Sequence, residues 1–236
     1  MNRRQLLASL TLATWNSEAQ DPVEPPPASL YIPKAHLVED RKLLQDLMDD
    51  HPFADLITPT PALRITHLPV LLERAAGRFG VIHGHISRQN VQSHAFDGKQ
   101  EAVVVFRGPQ GYISPTWYQT GQAVPTWNFA VVHATGRLRP VTDPRVLHAF
   151  LARLIQKFET YQGTDYDFSK LPDSYINGML QGIIGFQMEI ELLEGKFKLG
   201  QERSEADRQG ILENLQRARP ERPLRDLTES FYRRRA

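Results

Sequence analysis

The chain has 236 residues, of which 41% are hydrophobic and 23% charged; this is ordinary globular material with enough length for one large domain or two small ones. A formal net charge of +1 supplies no general attraction for nucleic acid or anionic lipid, so either partner would need a local patch. Without cysteine the chain can hold no disulfide, thiolate metal site, iron–sulfur cluster or cysteine nucleophile, and its redox compartment is left open.

The N-terminus reads MNRRQLLASLTLATWNSEAQ, with Arg3 and Arg4 ahead of a short apolar stretch from Leu6 to Trp15 and the small residues Ser17 and Ala19. This layout predicts a twin-arginine export signal and a periplasmic protein; a plain N-terminal extension on a cytoplasmic protein is the alternative. A stable bilayer span takes about 20 apolar residues, so no transmembrane anchor is expected in the mature chain. The following DPVEPPPASL has four prolines and reads as a stiff tether. Residues 1–29 are therefore set apart as signal and tether, and the folded domain is expected over 30–236.

From Glu39 to Asp50, Leu43, Leu44, Leu47 and Met48 recur at helical spacing, and Pro52 ends the helix. Apolar runs then follow between Gly, Pro and Asn breakers, at 53–58, 63–72, 79–86, 102–106 and 128–134, and predict strands. Before the last of these, GPQGYISPTWYQTGQAVPTWN (108–128) holds two of the three tryptophans among glycines and prolines. It is expected to be a shaped loop crossing between strands, as a core corner, a dimer seam or the wall of a planar ligand's pocket.

Asp143 as N-cap and Pro144 at the first helical position open a helix running to Gln162, and a shorter helix is expected over 173–181. In GFQMEIELLEGKFKLGQ, Phe186, Met188, Ile190 and Leu192 alternate with polar residues, as in a half-buried strand returning to the sheet. Segments 204–217 and 223–232 read as closing helices with charged outer faces. Strands first and helices later predict an α+β fold on a closed or nearly closed antiparallel barrel, not a doubly wound nucleotide fold.

The dinucleotide G-x-G-x-x-G, the P-loop, H-E-x-x-H and the G-x-S-x-G elbow are all missing from the sequence. His83 and His85 would share one face of a strand, but no further ligand stands at recognisable spacing, so no metal site is predicted. GHISRQN (84–90) sets Ser87, Arg88, Gln89 and Asn90 directly after a strand. Hydroxyl, guanidinium and amide donors suit a phosphate monoester, and an ordinary polar turn accounts for them equally. Lys196 and Lys198 share a strand face, as a second cationic contact to an anion or as a solvated pair.

Seven stretches in this order, LYIPKAH (30–36), ITHLPVLLE (65–73), GHISRQN (84–90), VVFRGPQGYISPTWY (104–118), VPTWNFAVVHATG (124–136), GIIGFQMEI (182–190) and KLGQ (198–201), make the chain resemble the PaiB-like family of FMN-binding negative transcriptional regulators. The resemblance covers about residues 30–218. It implies a split β-barrel, six-stranded and Greek-key, with flanking and C-terminal helices, pairing as a homodimer with FMN at the seam. Carried over onto the matching positions, the cofactor-binding residues are Thr66, His67, His85, Ser87, Arg88, Asn90, Tyr112, Ser114, Lys198 and Gln201. Arg88 and Lys198 are expected to meet the phosphate, with Ser87 or Thr66 adding a hydroxyl, while His67, His85 and Tyr112 line the ring or the seam.

Two departures from the family pattern stand out. The Asn90 loop lacks the tryptophan usual in relatives, and Glu202 brings a negative charge that would weaken a phosphate at close range. No catalytic residue is predicted and enzyme status is open; an exported flavin-dependent oxidoreductase or a haem-binding split barrel are the alternatives. Nucleic acid is supported neither by charge nor by motif, since the segment from Gln201 onward carries nine arginines against seven acidic residues and no helix-turn-helix pattern.

Overall fold

Asp40 and Asp143 start the two clearest helices by the same device, a side-chain carboxylate accepting backbone N–H groups that have no partner inside the helix. Asp40 accepts from Leu43 N at 3.1 Å and opens α1 (Arg41–Asp50), while Asp143 accepts from Arg145 N at 2.8 Å and opens α2 (Pro144–Gln162) with Pro144 in the first turn. The computed structural model describes residues 28–59, 61–121, 123–217 and 222–235. The export signal and most of the tether thus lie outside the described residues.

The remaining elements are β1 (Leu37–Val38), β2 (Phe53–Thr58), β3 (Arg64–Pro69), β4 (Leu71–Glu73), β5 (Val81–Ser87), β6 (Glu101–Ile113), β7 (Thr126–Val141), α3 (Asp173–Gln181), β8 (Ile183–Lys198), α4 (Glu205–Arg217) and α5 (Arg222–Arg235). All strand pairs are antiparallel and form one sheet in the order β3-β2-β6-β7-β8-β5-β4, with β1 added on β8. The long strands curl the sheet until its β3 and β5 regions meet through side chains. Gly84 on β5 is required there, because an added Cβ would lie 2.5 Å from Phe186 and 3.2 Å from Leu68. The fold is the α+β split barrel that the sequence implied, with the short β1 and β4 added to six longer strands.

Two strands are longer than their apolar runs. β6 continues through Gly108 and Pro109 to Ile113, and β7 begins at Thr126, so only residues 114–125 form the loop expected over 108–128. The pairing shifts between Arg107 and Gln110, which places Pro109, with no N–H to give, in a bulge instead of the ladder.

Side chains alternate across the sheet. The inner face supplies Leu56, Val104, Phe106, Val132, Leu138, Phe186, Met188 and Phe197, and α1, α4 and α5 close this core with Leu44, Met48, Ile211, Leu215, Leu224 and Phe231. The outer face is divided. Over β4 and β5 it is covered by α2 and α3, whose Leu147, Phe150, Leu154, Ile176 and Leu180 pack in a second cluster with Leu71. Over β2, β3, β6 and β7 no helix among the described residues lies on it, and Phe53, Ile65, Tyr112 and Trp127 are exposed.

Candidate functional site

On the uncovered flank, strand register sets side chains out in rows. His67, Asp55, Val105, His133 and Glu194 lie side by side across five strands. Beyond them come Arg107, Val131 and Lys196, then Gln110, Phe129 and Lys198, and finally Tyr112 opposite Trp127.

In the first row Asp55 holds two cationic or potentially cationic partners. Its Oδ1 is 2.5 Å from His67 Nδ1 and its Oδ2 is 2.5 Å from Arg107 Nη2. With Nδ1–H donated to a carboxylate, the His67 ring turns Nε2 toward the open flank as a proton donor or acceptor. At the other end of the row the chain's own N-terminal segment is tied down: Ser29 donates through its N–H and its hydroxyl to Glu194, and His133 Nδ1 stands 2.9 Å from that hydroxyl. Burial lowers the affinity of the His133 imidazole for a proton.

The cationic and aromatic groups occupy the next rows. The Lys198 ammonium donates to Thr126 Oγ1 at 2.5 Å, and Lys196 donates to Tyr31 O at 2.9 Å while standing 5.7 Å from the centre of the Phe129 ring. Among the described residues neither lysine has a carboxylate partner. Tyr112 and Trp127 meet edge to face at 6.3 Å, and Trp127 Nε1 donates to Gln110. Glu202 is turned to His36, 3.6 Å away. Gln201 is spent on backbone, donating to Ala35 O and Phe197 O and accepting from Leu199 N, so it shapes the turn after β8.

The loop between β6 and β7 is held from outside the sheet. Ser114 caps its short helical turn at Thr116 N, and Asp207 of α4 accepts from Gln119 N, Thr120 N and Thr120 Oγ1. Hydrogen bonds from Thr120 hold the Asp207 carboxyl below the usual range against the opposing effect of desolvation. Gly210 lies so close to Trp117 O that any Cβ would collide with it. The guanidinium of Arg203 sits 4.6 Å from the Tyr118 ring centre.

The donors of 84–90 are gathered elsewhere. Asn90 Nδ2 donates to Thr66 Oγ1, whose hydroxyl donates to Gln92 Oε1, and Gln92 in turn donates to Leu56 O and Thr58 Oγ1. Arg88 donates to Gln181 O and Ile183 O, joining the loop to the end of α3, and Ser87 accepts from Gln89 N. His83 pairs with Glu73 at 3.1 Å and stacks on Phe150, while His85 meets the edge of the same ring from beneath α2. Both imidazoles thus lie on one face against Phe150, and of the two only His83 has a carboxylate partner among the described residues.

Of the residues singled out in the sequence, the structure brings His67, Tyr112 and Lys198 to the open flank, with Ser114 at the loop beside it. Thr66, Ser87 and Asn90 lie near one another at the β5 turn, and His85 lies under the helices. Sequence reasoning missed Asp55, Arg107, Gln92 and Asp207, whose partners are all distant in the chain. Only the alternation of Phe53, Asp55 and Ile57 signalled that Asp55 faces outward.

Three comparisons bear on this arrangement. Residues 30–192 match the family described as "Putative FMN-binding domain". The chain is 29% identical over 188 residues to the protease synthase and sporulation protein PAI 2 of Bacillus subtilis, covering 79% of this chain and 89% of that protein. It is also 29% identical over 227 residues to the uncharacterized protein AN0679 of Emericella nidulans, covering 79% and 90%. Among solved structures, the flavocytochrome Anf3 from Azotobacter vinelandii superposes with a TM-score of 0.55 at 13% identity, over 74% of this chain and 76% of that one, which marks a shared fold.

Proposed function

The chain belongs to the FMN-binding domain family, and from that premise we propose that FMN is held on the uncovered flank of the split barrel and closed in by a second copy of the chain. The observation that carries this reading is the division of one sheet: α2 and α3 cover one side of its outer face, while the other presents aromatic rings beside two ammonium groups without carboxylate partners among the described residues.

The residues on this flank fit such a cofactor by their chemistry. A phosphate monoester asks for cations and hydroxyl donors, which Lys198, Lys196 and Thr126 provide; a flat ring system asks for aromatic and backbone surroundings, which Tyr112, Trp127 and Phe129 provide. Glu202, which could have opposed the phosphate, is directed at His36.

FMN, when bound, supplies hydride and single-electron transfer, so the protein needs only to bind, orient and exclude water. Lys198 and Lys196 bind the phosphate, and Thr126 fixes the direction of the Lys198 ammonium. The α4 contacts at Asp207 and Gly210 keep the loop from relaxing away from the ring. His67, its Nδ1–H fixed on Asp55, presents Nε2 where the flank opens. A second copy laid over the flank would bury Phe53 and Ile65, now 67% and 53% exposed. Each such side chain contributes about 1.5–3 kcal/mol when fully covered.

A spectrum of the purified chain joined to sedimentation tests the reading. The expected protein is a yellow dimer whose colour bleaches with a reductant and returns in air, and Ile65→Glu is expected to yield monomers that lose FMN. A colourless protein that takes up no added FMN, or a Soret band in its place, would overturn it. Transcriptional control, which the resemblance implies, is tested separately by a gel shift on the native promoter region, where a shift at low salt should fade as salt rises.

A further inference from the structure

Between α2, α3 and β5, over the covered part of the outer face, lies a chamber of about 180 Å³. Its walls include Leu151 of α2, Phe168 of the connecting turn, Tyr175 and Met179 of α3, and Ile183 at the start of β8. The imidazole of His85 stands among them. Among the described residues no carboxylate, ammonium or guanidinium lines the chamber, so an ion entering it would lose its hydration without a counter-charge.

Two features separate this space from a packing gap. His85 Nδ1 is shut off from solvent and has no hydrogen-bond partner among the described residues, although native proteins pair nearly all such atoms. The ring is fixed by the edge of Phe150 at 6.0 Å. With Nδ1 sealed, Nε2 is the nitrogen within reach of a molecule in the chamber. Tyr175 and Met179 are 57% and 61% exposed, large side chains left standing at the mouth of the chamber on a helix of nine residues. Burial also lowers the proton affinity of His85 and favours the neutral ring; with no partner for an Nδ1–H, its single proton belongs at Nε2, which donates into the chamber.

We propose that this chamber is a binding site for a small neutral aromatic molecule bearing one carbonyl or ether oxygen, which accepts a hydrogen bond from His85 Nε2–H. The size supports that class. Cavities of about 150 Å³ lined by aliphatic and aromatic side chains stay dry and take up a single benzene ring, whereas pockets for drug-sized ligands begin near about 300 Å³. FMN is too large for the space and would find no cation there for its phosphate.

Acetophenone and anisole are the probes, toluene is the comparator without an acceptor, and the full chain is titrated with each, both free and saturated with FMN. Acetophenone and anisole are expected to bind saturably and to shift the proton resonances of the His85 ring, with toluene about tenfold weaker for want of one hydrogen bond. His85→Phe should bring all three to similar affinity. Leu151→Trp should fill the chamber and abolish binding; Met179→Trp, at an exposed position, blocks the mouth should the first variant fail to fold. FMN saturation should change none of these affinities. The proposal is overturned if no probe binds up to its solubility limit, if binding survives Met179→Trp, or if FMN displaces the probes, which would place them on the flavin flank.

Discussion

Arg88 and Lys198 are anchored at opposite ends of one strand: the Arg88 guanidinium reaches the carbonyl of Ile183, the first residue of β8, and Lys198 is its last. At about 3.3 Å per residue the strand path between them is about 50 Å. One phosphate cannot be gripped by both within a protomer, so the two cations should respond differently to substitution.

Lys198→Ala is expected to raise the dissociation constant for FMN by about 10- to 100-fold, the equivalent of about 1.5–3 kcal/mol for a hydrogen bond from a charged group. Arg88→Ala should leave FMN affinity within about twofold and instead lower the melting temperature, because it frees the carbonyls of Gln181 and Ile183. Fluorescence titration of FMN with both variants checks this. Equal losses of affinity would show that the β5 turn of one copy reaches the cofactor of the other.

Gln92 is 2% exposed and spends its amide on β2 and β3 together, accepting from Thr66 and donating to Leu56 O and Thr58 Oγ1. Gln92→Leu keeps the volume but leaves these polar atoms unpaired, with an expected cost of about 2–3 kcal/mol. Urea denaturation should show a lower midpoint at unchanged slope. An unchanged midpoint would mean that water satisfies the network.

Acid should weaken the fold in two separate stages. His83, His85 and His133 bind protons less readily when folded than when unfolded, with burial the main cause in each. A base whose folded pKa is lowered makes the unfolded chain the better proton acceptor, so stability falls as pH drops below about 6.5. Asp207 is a carboxylate with a lowered folded pKa; its contribution is present above the ordinary carboxylate range and is lost as pH falls through that lowered value. His85→Phe should make the first stage shallower, leaving the share of His83 and His133, and Asp207→Asn should flatten the second, in melting temperatures measured across the pH range.

The export signal expected in residues 1–29 is a proposal about where the protein works. Full-length chain should reach the periplasm, and the Arg3→Lys, Arg4→Lys variant should stay in the cytoplasm. Cell fractionation with an antibody decides it, and identical distribution of the two forms would remove the signal.

The helices were readable because their signals are local. Asp143, Pro144 and the spacing of Leu147, Phe150 and Leu154 all act within one turn or two of the chain. The strands were located but measured short, since Gly108 and Pro109 look like a terminus until the bulge that absorbs them is known. The phosphate-like chemistry of Ser87, Arg88 and Asn90 was legible, yet its destination was not. Whether Arg88 meets a ligand or the carbonyl of Gln181 depends on how α3 returns to the sheet, and no residue between them states that. Asp55 stayed hidden for the same reason, because His67 and Arg107 become its neighbours only through strand register.

The α4 lock on the loop between β6 and β7 carries a consequence for the order of events in biosynthesis. Asp207 and Gly210 leave the ribosome long after Trp117 and Thr120, so a nascent chain can pair its strands while the ledge beside Tyr112 is still slack. If flavin sits on the proposed flank, its retention should await α4, and a chain truncated after β8 should lose both this lock and the Ile211, Leu215, Leu224 and Phe231 side chains that close the core.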